Sequence, residues 1–412
     1  MASSRLVSTA VLLITLSWTS VPELLAQDGG GGDPVSGSQC FGDRLFPTFN
    51  GPANSPNAEY LANGEPFDAI CLPEAWAFMK DKWQAASLGI PNWPFAVVID
   101  DGFFEFEDSG LRPWNYPGYP DGSLSFPYGT ALGGASVAGK AYGHHGTAVF
   151  SLLASRGNNG KYLVGAAAPW DQIPDGRFFG PTYIPVRIGF AGPFGDDIPE
   201  LIRAFEEVVF AYHEVRLVNL SQDLVAIPAQ DAMEFEPRLQ QANSNQVAVV
   251  VAAGNDQRTV ASGHWLRQHQ NVILVGALNH RGDDLWIHGP HGTATGDAVD
   301  LYAPGENIEA FEGPSSIRLL TGTSFAAPMV SGVVAMMQNL EPTLYPAAVR
   351  AILVATADPI QTSTGQVVPR LNARRALECT STLHTSLYAP GAYTFVCDSG
   401  PQGPVSGTYK IR

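Results

Sequence analysis

Positive charge is scarce in this sequence: 23 lysines and arginines face 39 aspartates and glutamates, a formal net charge of -16 over 412 residues. A polyanion such as nucleic acid, or an anionic membrane surface, is excluded as a partner on those electrostatic grounds. Cysteine is scarce as well, with four in the chain, and none stands at the spacing of a zinc site or a redox C-x-x-C pair. No apolar run reaches the roughly 20 residues of a comfortable membrane span. There is no internal repeat and no Asp-rich loop of the EF-hand kind. Charged residues make up 15% of the chain and hydrophobic residues 45%, which excludes global disorder and allows a sizeable core.

What is present begins with an export signal. Arg5 supplies a short positive region, Val7 to Trp18 is mostly apolar, and small or neutral residues lead to Ala26. We read 1–26 as a signal peptide, hence a secreted (extracellular or periplasmic) protein with no membrane insertion after cleavage. No cysteine follows closely enough for a lipid anchor. Cys40, Cys71, Cys379 and Cys397 suit an oxidising compartment as structural disulfides. Three connectivities stay open, and pairing each with its near neighbour would staple the two ends of the chain. Residues 27–72 read as a loop-rich segment, Gly, Pro, Asn and Ser rich from Asp28 to about Ala69. The main domain is expected over 73–379, with a small β-like extension over 380–412.

Within the main domain, strand and helix patterns alternate. Pro73 to Lys80 reads as a short helix. Phe95 to Ile99 is an unbroken apolar run of the kind a strand buried on both faces requires. A helix is predicted over Thr147–Ala154, a weaker strand over Ile184–Ile188 and a long helix over Ile198–Glu214. Then come a strand over Arg216–Leu220, a polar helix over Ala229–Asn243, and strands over Val247–Ala252 and Val272–Val275. Thr321 to Met337 predicts a buried helix with Ser324 at its head, Pro328 marking the start. After Ala376 the sequence turns to short β-like pieces. The fold class is α/β: a doubly wound, mainly parallel sheet flanked by helices, with functional residues at the carboxyl ends of strands.

The chemistry-bearing residues fall at those ends. Asp100 closes the Val-Val-Ile strand. His145 stands at a helix start beside Gly146-Thr147. Asn255 follows a buried strand through Ala253-Gly254, where an amide can donate to a developing oxyanion. Ser324 at a helix N-terminus has its hydroxyl exposed among N–H groups that favour negative charge. His291-Gly292-Thr293 repeats the histidine motif's opening, but Ala294-Thr295-Gly296-Asp297 cannot continue as an apolar helix, which predicts a surface loop.

Together these segments resemble the subtilisin-like serine proteases, the subtilases. Val98-Ile99-Asp100-Asp101-Gly102 is similar to the aspartate motif, His145-Gly146-Thr147-Ala148-Val149 to the histidine motif and Gly322-Thr323-Ser324-Phe325-Ala326-Ala327-Pro328 to the serine motif. The order Asp, His, Ser is also that family's. Ala252-Ala253-Gly254-Asn255 resembles its oxyanion segment, and Asn219-Leu220-Ser221 the strand lining its substrate cleft. The resemblance implies a secreted endopeptidase with Asp100, His145 and Ser324 as triad and Asn255 in the oxyanion hole. Ser221, Gln222, Asp223, Ala253 and Gly254 would then contact substrate. It further implies protein or peptide substrates, a monomer, no cofactor for the chemistry, and structural calcium. The sequence departs from the family at Asp101, where Thr or Ser is usual, and at Gln222-Asp223, where a small apolar residue and glycine are usual. The Gln222-Asp223 change, with no compact propeptide recognisable before Pro73, keeps one alternative open, a catalytically weak or inactive subtilase-fold binding or scaffold protein. The α/β-hydrolase alternative fails because Ala326 breaks a G-x-S-x-G elbow at Ser324.

Overall fold

The computed structural model describes residues 64–86, 93–103, 144–155, 163–167, 181–188, 198–313, 316–383, 391–398 and 404–411. The signal segment read at 1–26 and the loop-rich stretch up to residue 63 lie outside the described residues, as do Cys40 and the stretch 104–143.

The strands that matter for the site are β1 (Phe95–Asp100), β2 (Thr182–Arg187), β3 (Val215–Leu220), β4 (Ala248–Ala252), β5 (Val272–Leu278) and β8 (Leu301–Pro304). All are parallel, with registers such as Ile99↔Leu220 and Leu220↔Val251. With β11 (Asp358–Gln361) and β12 (Val367–Arg370) they form an eight-stranded sheet in the order β11-β12-β8-β5-β4-β3-β1-β2. Within it only the edge strand β11 runs against its neighbour. A separate antiparallel pair, β9 (Ile308–Phe311) and β10 (Ile317–Leu320), leads into the helix of Ser324. The predicted fold class holds.

Alternate residues of one strand enter two different cores, as the two-residue side-chain period dictates. Ala96 and Val98 join one cluster with Val250, Val275 and Val333; Val97 and Ile99 join the other with Val249, Phe235 and Leu239. That is why the strand sequences show no polar face. The first core is covered by α3 (His144–Ala154), α6 (Thr323–Leu340) and α8 (Ala373–Thr382), and α7 (Pro346–Thr356) packs beside them. The second is covered by α4 (Ile198–Ala204) and α5 (Ala229–Ser244). Helix α6 is buried from Thr323 to Asn339, so its Ala, Val and Met run needs no solvent-facing stripe.

Four expectations are corrected. The long helix predicted to Glu214 stops far earlier: α4 passes into a π turn, Phe205–Val209, closed by the Phe210 N–H donating to the Phe205 carbonyl at 2.9 Å. The extra residue in that turn lets Phe205 meet both Phe210 and Phe235 edge-on, at 5.9 and 5.1 Å. The loop reading from Asp28 to Ala69 fails at its end, where α1 (Gly64–Ala69) precedes α2 (Leu72–Ala86) and Phe67 and Ile70 are fully buried. The β-like reading after Ala376 also fails locally. Helix α8 carries Cys379 and runs to Thr382, with Asn372 capping it by accepting from the Arg375 N–H at 3.0 Å. The β structure follows as a hairpin of β13 (Gly391–Asp398) and β14 (Pro404–Ile411). Finally, the stretch around His291 is a short hairpin, β6 (Ile287–His288) and β7 (His291–Gly292), with His291 exposed.

A Cys379–Cys397 disulfide ties α8 to that terminal hairpin, and Cys71 is also disulfide-bonded. Among the described residues no helix is long and apolar enough to cross a membrane.

Candidate active site

The predicted residues lie along the carboxyl ends of adjacent strands β1, β3 and β4, facing the heads of α3 and α6. Asp100 ends β1 and is fully buried. Its Oδ1 accepts from His145 Nδ1 at 2.8 Å and from the Asp101 N–H at 2.8 Å. His145 is the second residue of α3, with about a third of its side chain exposed (35%). Gly146 must be glycine for β1 and α3 to meet. An added Cβ would stand 2.9 Å from the Asp100 Cβ and would collide with the Gly102 carbonyl. Burial on its own would lower the His145 pKa. The Asp100 charge and hydrogen bond, helped by the Asp101 charge, outweigh it and raise the pKa to about 9.

Ser324 is the second residue of α6, within the first turn, whose N–H groups have no intrahelical acceptor. Its hydroxyl donates to the Ser221 carbonyl at 3.1 Å, and among the described residues no hydrogen bond joins it to His145. The two are still neighbours, for the ring of Phe325, the next residue, lies 5.7 Å from the His145 ring.

Pro328 sits further into α6 than a first-turn proline. Its missing N–H would have served the Ser324 carbonyl four residues back. That carbonyl is satisfied from outside the helix instead, by the Ser221 hydroxyl at 2.8 Å. The Ser221 hydroxyl in turn accepts from Asn219 Nδ2 at 3.0 Å, and Asn219 Oδ1 accepts from the Ser331 hydroxyl at 2.8 Å. Asn219, Ser221 and Ser331 are all buried, so this chain of bonds fixes the head of α6 against β3 from inside the core. Sequence reasoning misses Ser331, whose only signal is a lone hydroxyl within an Ala, Val and Met run.

Asn255, just past β4, is exposed, and its amide orientation is set by two donors. Oδ1 accepts from the Thr323 N–H at 2.8 Å and the Thr323 hydroxyl at 2.9 Å. Nδ2 is thereby left pointing away as a donor. Gly254 holds a φ of +105°, a region that favours glycine, and the carboxylate of Asp223 rests where a Cβ would be, 3.1 Å from its ideal position. Asp223 also pairs with Arg258 at 3.2 Å, and Arg258 grips Asp256 through Nε at 2.6 Å. Burial raises the Asp223 pKa, with Arg258 pulling against it. Ala253 is fully buried, its N–H held by the Val275 carbonyl at 2.9 Å. Gln222 is buried too, and neither atom of its amide has a hydrogen-bond partner among the described residues. Its side chain faces the interior, whereas Asp223 is partly open to solvent.

His144 is exposed and its Nδ1 bonds the Glu312 carbonyl, away from Asp100. As for metal, no group of three or more His, Cys, Asp and Glu side chains is gathered to hold an ion among the described residues.

The arrangement pairs a buried carboxylate with an imidazole, places a serine in the first turn of a neighbouring helix, and ties the Asn255 amide to Thr323 at that helix head. Comparison with known proteins gives the family. Residues 98–381 match the Subtilase family. A subtilisin-like protease of Coccidioides posadasii is 36% identical over 286 residues, covering 67% of this chain and 59% of that protein. An extracellular protease of Xanthomonas campestris pv. campestris is 29% identical over 238 residues, covering 54% of this chain and 38% of its own length. The chain thus spans less than two thirds of these curated relatives. A solved structure of a protease from Pseudoalteromonas arctica matches with a TM-score of 0.51 at 20% identity, over 75% of this chain and 93% of its own. At that identity the likeness is one of fold.

Proposed function

The chain belongs to the subtilase family, and on that footing we propose that it is a secreted serine endopeptidase cleaving peptide bonds in protein or peptide substrates. The observation that carries the reading is the 2.8 Å bond from His145 Nδ1 to the buried Asp100, beside Ser324 in the first turn of a buried helix. In this reading the Ser324 hydroxyl attacks the scissile carbonyl. His145 Nε2 takes its proton and later delivers it to the leaving amine, while Asp100 orients the ring and stabilises its cationic form. Asn255 Nδ2 and the Ser324 N–H hold the oxyanion. Before attack the hydroxyl leaves the Ser221 carbonyl for His145 by rotation between staggered wells. Export accords with the extracellular relative and with the apolar N-terminal run. A structural calcium ion, implied by family resemblance alone, would act on stability and take no part in the chemistry.

The test is labelling of the purified protein with a fluorophosphonate probe, with Ser324→Ala as the control. Stoichiometric labelling that disappears in the variant is the expected result. The hydrogen bond from Ser324 to the Ser221 carbonyl favours a second reading, an inactive scaffold. A folded protein that resists the probe between about pH 5 and 10, with and without calcium, would point to that scaffold or to an unprocessed zymogen instead.

Asp223 is proposed to shape substrate choice. It projects toward Gly254, the residue before the oxyanion donor, and Arg258 answers its charge. Arg258→Gln frees that carboxylate, so kcat/KM for peptides with a basic side chain at the cleaved residue is expected to rise several-fold over neutral ones. The gain should fade above about 0.5 M salt. A peptide library profiled against both forms checks it.

A further inference from the structure

Asp101 holds the helix that carries His145. Its Oδ1 accepts the Gly146 N–H at 2.8 Å, capping the first turn of α3 from the end of β1. Its own N–H meanwhile donates to the Asp100 oxygen that His145 Nδ1 also uses. Two carboxylates and one imidazole therefore share one hydrogen-bonded knot. The other Asp100 oxygen, Oδ2, is buried without a partner among the described residues. A cap needs no charge, for asparagine, serine or threonine would fill it.

We propose that Asp101 is a positioning residue that adds to the basicity Asp100 gives His145, its ionised carboxylate placing a second negative charge beside the imidazole while tethering the helix. For its kinetic readout the inference rests on the peptidase reading above.

The groups acting on Asp101 are Asp100 from β1 and His145 from α3. Burial and the Asp100 charge lift its carboxyl to about 6, with the Gly146 N–H and His145 pulling the other way. Asp101 is then ionised through the range in which His145 titrates, near 9. Other charged groups nearby are Arg187 on β2, in register with Asp100, and Glu312, which Arg318 engages at 2.6 Å. From α6 the neighbours are the uncharged Ser324 and Phe325. A general base works only when neutral, and below its pKa the neutral fraction falls tenfold per pH unit. Removing the Asp101 charge lowers the His145 pKa, so the acid limb of kcat/KM moves to lower pH.

The test is Asp101→Asn, whose side-chain oxygen can keep the cap. The acid limb is expected to fall by about one pH unit, with kcat/KM near pH 7 rising up to about tenfold. Asp101→Thr, a second neutral cap, should give the same shift. The His145 ring followed by NMR in a Ser324→Ala background should titrate correspondingly lower when Asp101 is replaced. That measurement needs no activity, so a failed peptidase reading and a failed coupling are told apart. A folded Asp101→Asn protein in which the His145 titration stays put or moves upward overturns the proposal, leaving Asp101 as a cap alone.

Discussion

Asp100→Asn is expected to lower kcat about ten-thousandfold while leaving the protein folded. The substitution is isosteric, and the two donors at Asp100 decide how the amide turns. The His145 Nδ1–H and the Asp101 N–H both point at Oδ1, so the amide oxygen stays there. The NH2 takes the place of Oδ2, which has no partner among the described residues. The ring is still oriented. What is lost is the hydrogen-bonded charge: as His145 accepts the proton of Ser324, the anion bonded directly to its Nδ1 is gone. The same loss leaves burial less opposed, so the His145 pKa drops from about 9. Turnover at saturating peptide and an NMR titration of the ring should therefore fall together. A large rate loss with an unmoved titration would mean that Asp100 works through ring orientation.

Asn255→Ala is expected to cost about 100- to 1000-fold in kcat, with little change in KM, because its Nδ2 acts on charge that exists only in the transition state. It also strands the Thr323 N–H and hydroxyl, which both donate to Asn255 Oδ1. An orphaned donor that is not fully exposed costs up to about 1–3 kcal/mol. Asn255→Asp separates the two jobs. It retains an acceptor for Thr323 and puts an anion where the donor was, so stability should be kept while the rate falls at least as far. Thermal unfolding beside steady-state kinetics checks this. Equal rate losses accompanied by equal stability losses would place Asn255 in the scaffold of α6 and outside the chemistry.

The parts legible in the sequence are those where a local pattern and a functional residue coincide. Asp100 ends a run of residues buried on both faces, and Ser324 opens a helix with no polar stripe, so the residue pattern alone places both. Parts fixed by distant partners carry no such local mark. Nothing in its own residues singles out Phe205–Val209 as a π turn, because the pull comes from Phe235 on another helix. Cys379 sits in a short segment whose helical state is set by Asn372 and by packing on α2 and α6. Ser331 is conspicuous only once Asn219 is seen opposite it. Pro328 reads locally as the mark of a helix start, yet it lies past the first turn, tolerated because Ser221 supplies the bond that the proline cannot. Gln222 and Asp223 belong together by their place after Ser221, and the alternation of side chains sends them to opposite environments.

The strand order has a consequence in time. Strand β1 lies between β2 and β3, and Ile99 takes its register from Val186 and Leu220, both far along the chain. Ordering so long a loop is an entropic debt incurred before the contacts that repay it form, so such topologies fold slowly. Asp100, Ser221 and Asn255 ride on strands that become neighbours only at that late stage. A chain emerging from synthesis or from denaturant should therefore stay inert until its sheet closes, and activity should return in one slow, concerted phase with no partly competent species before it.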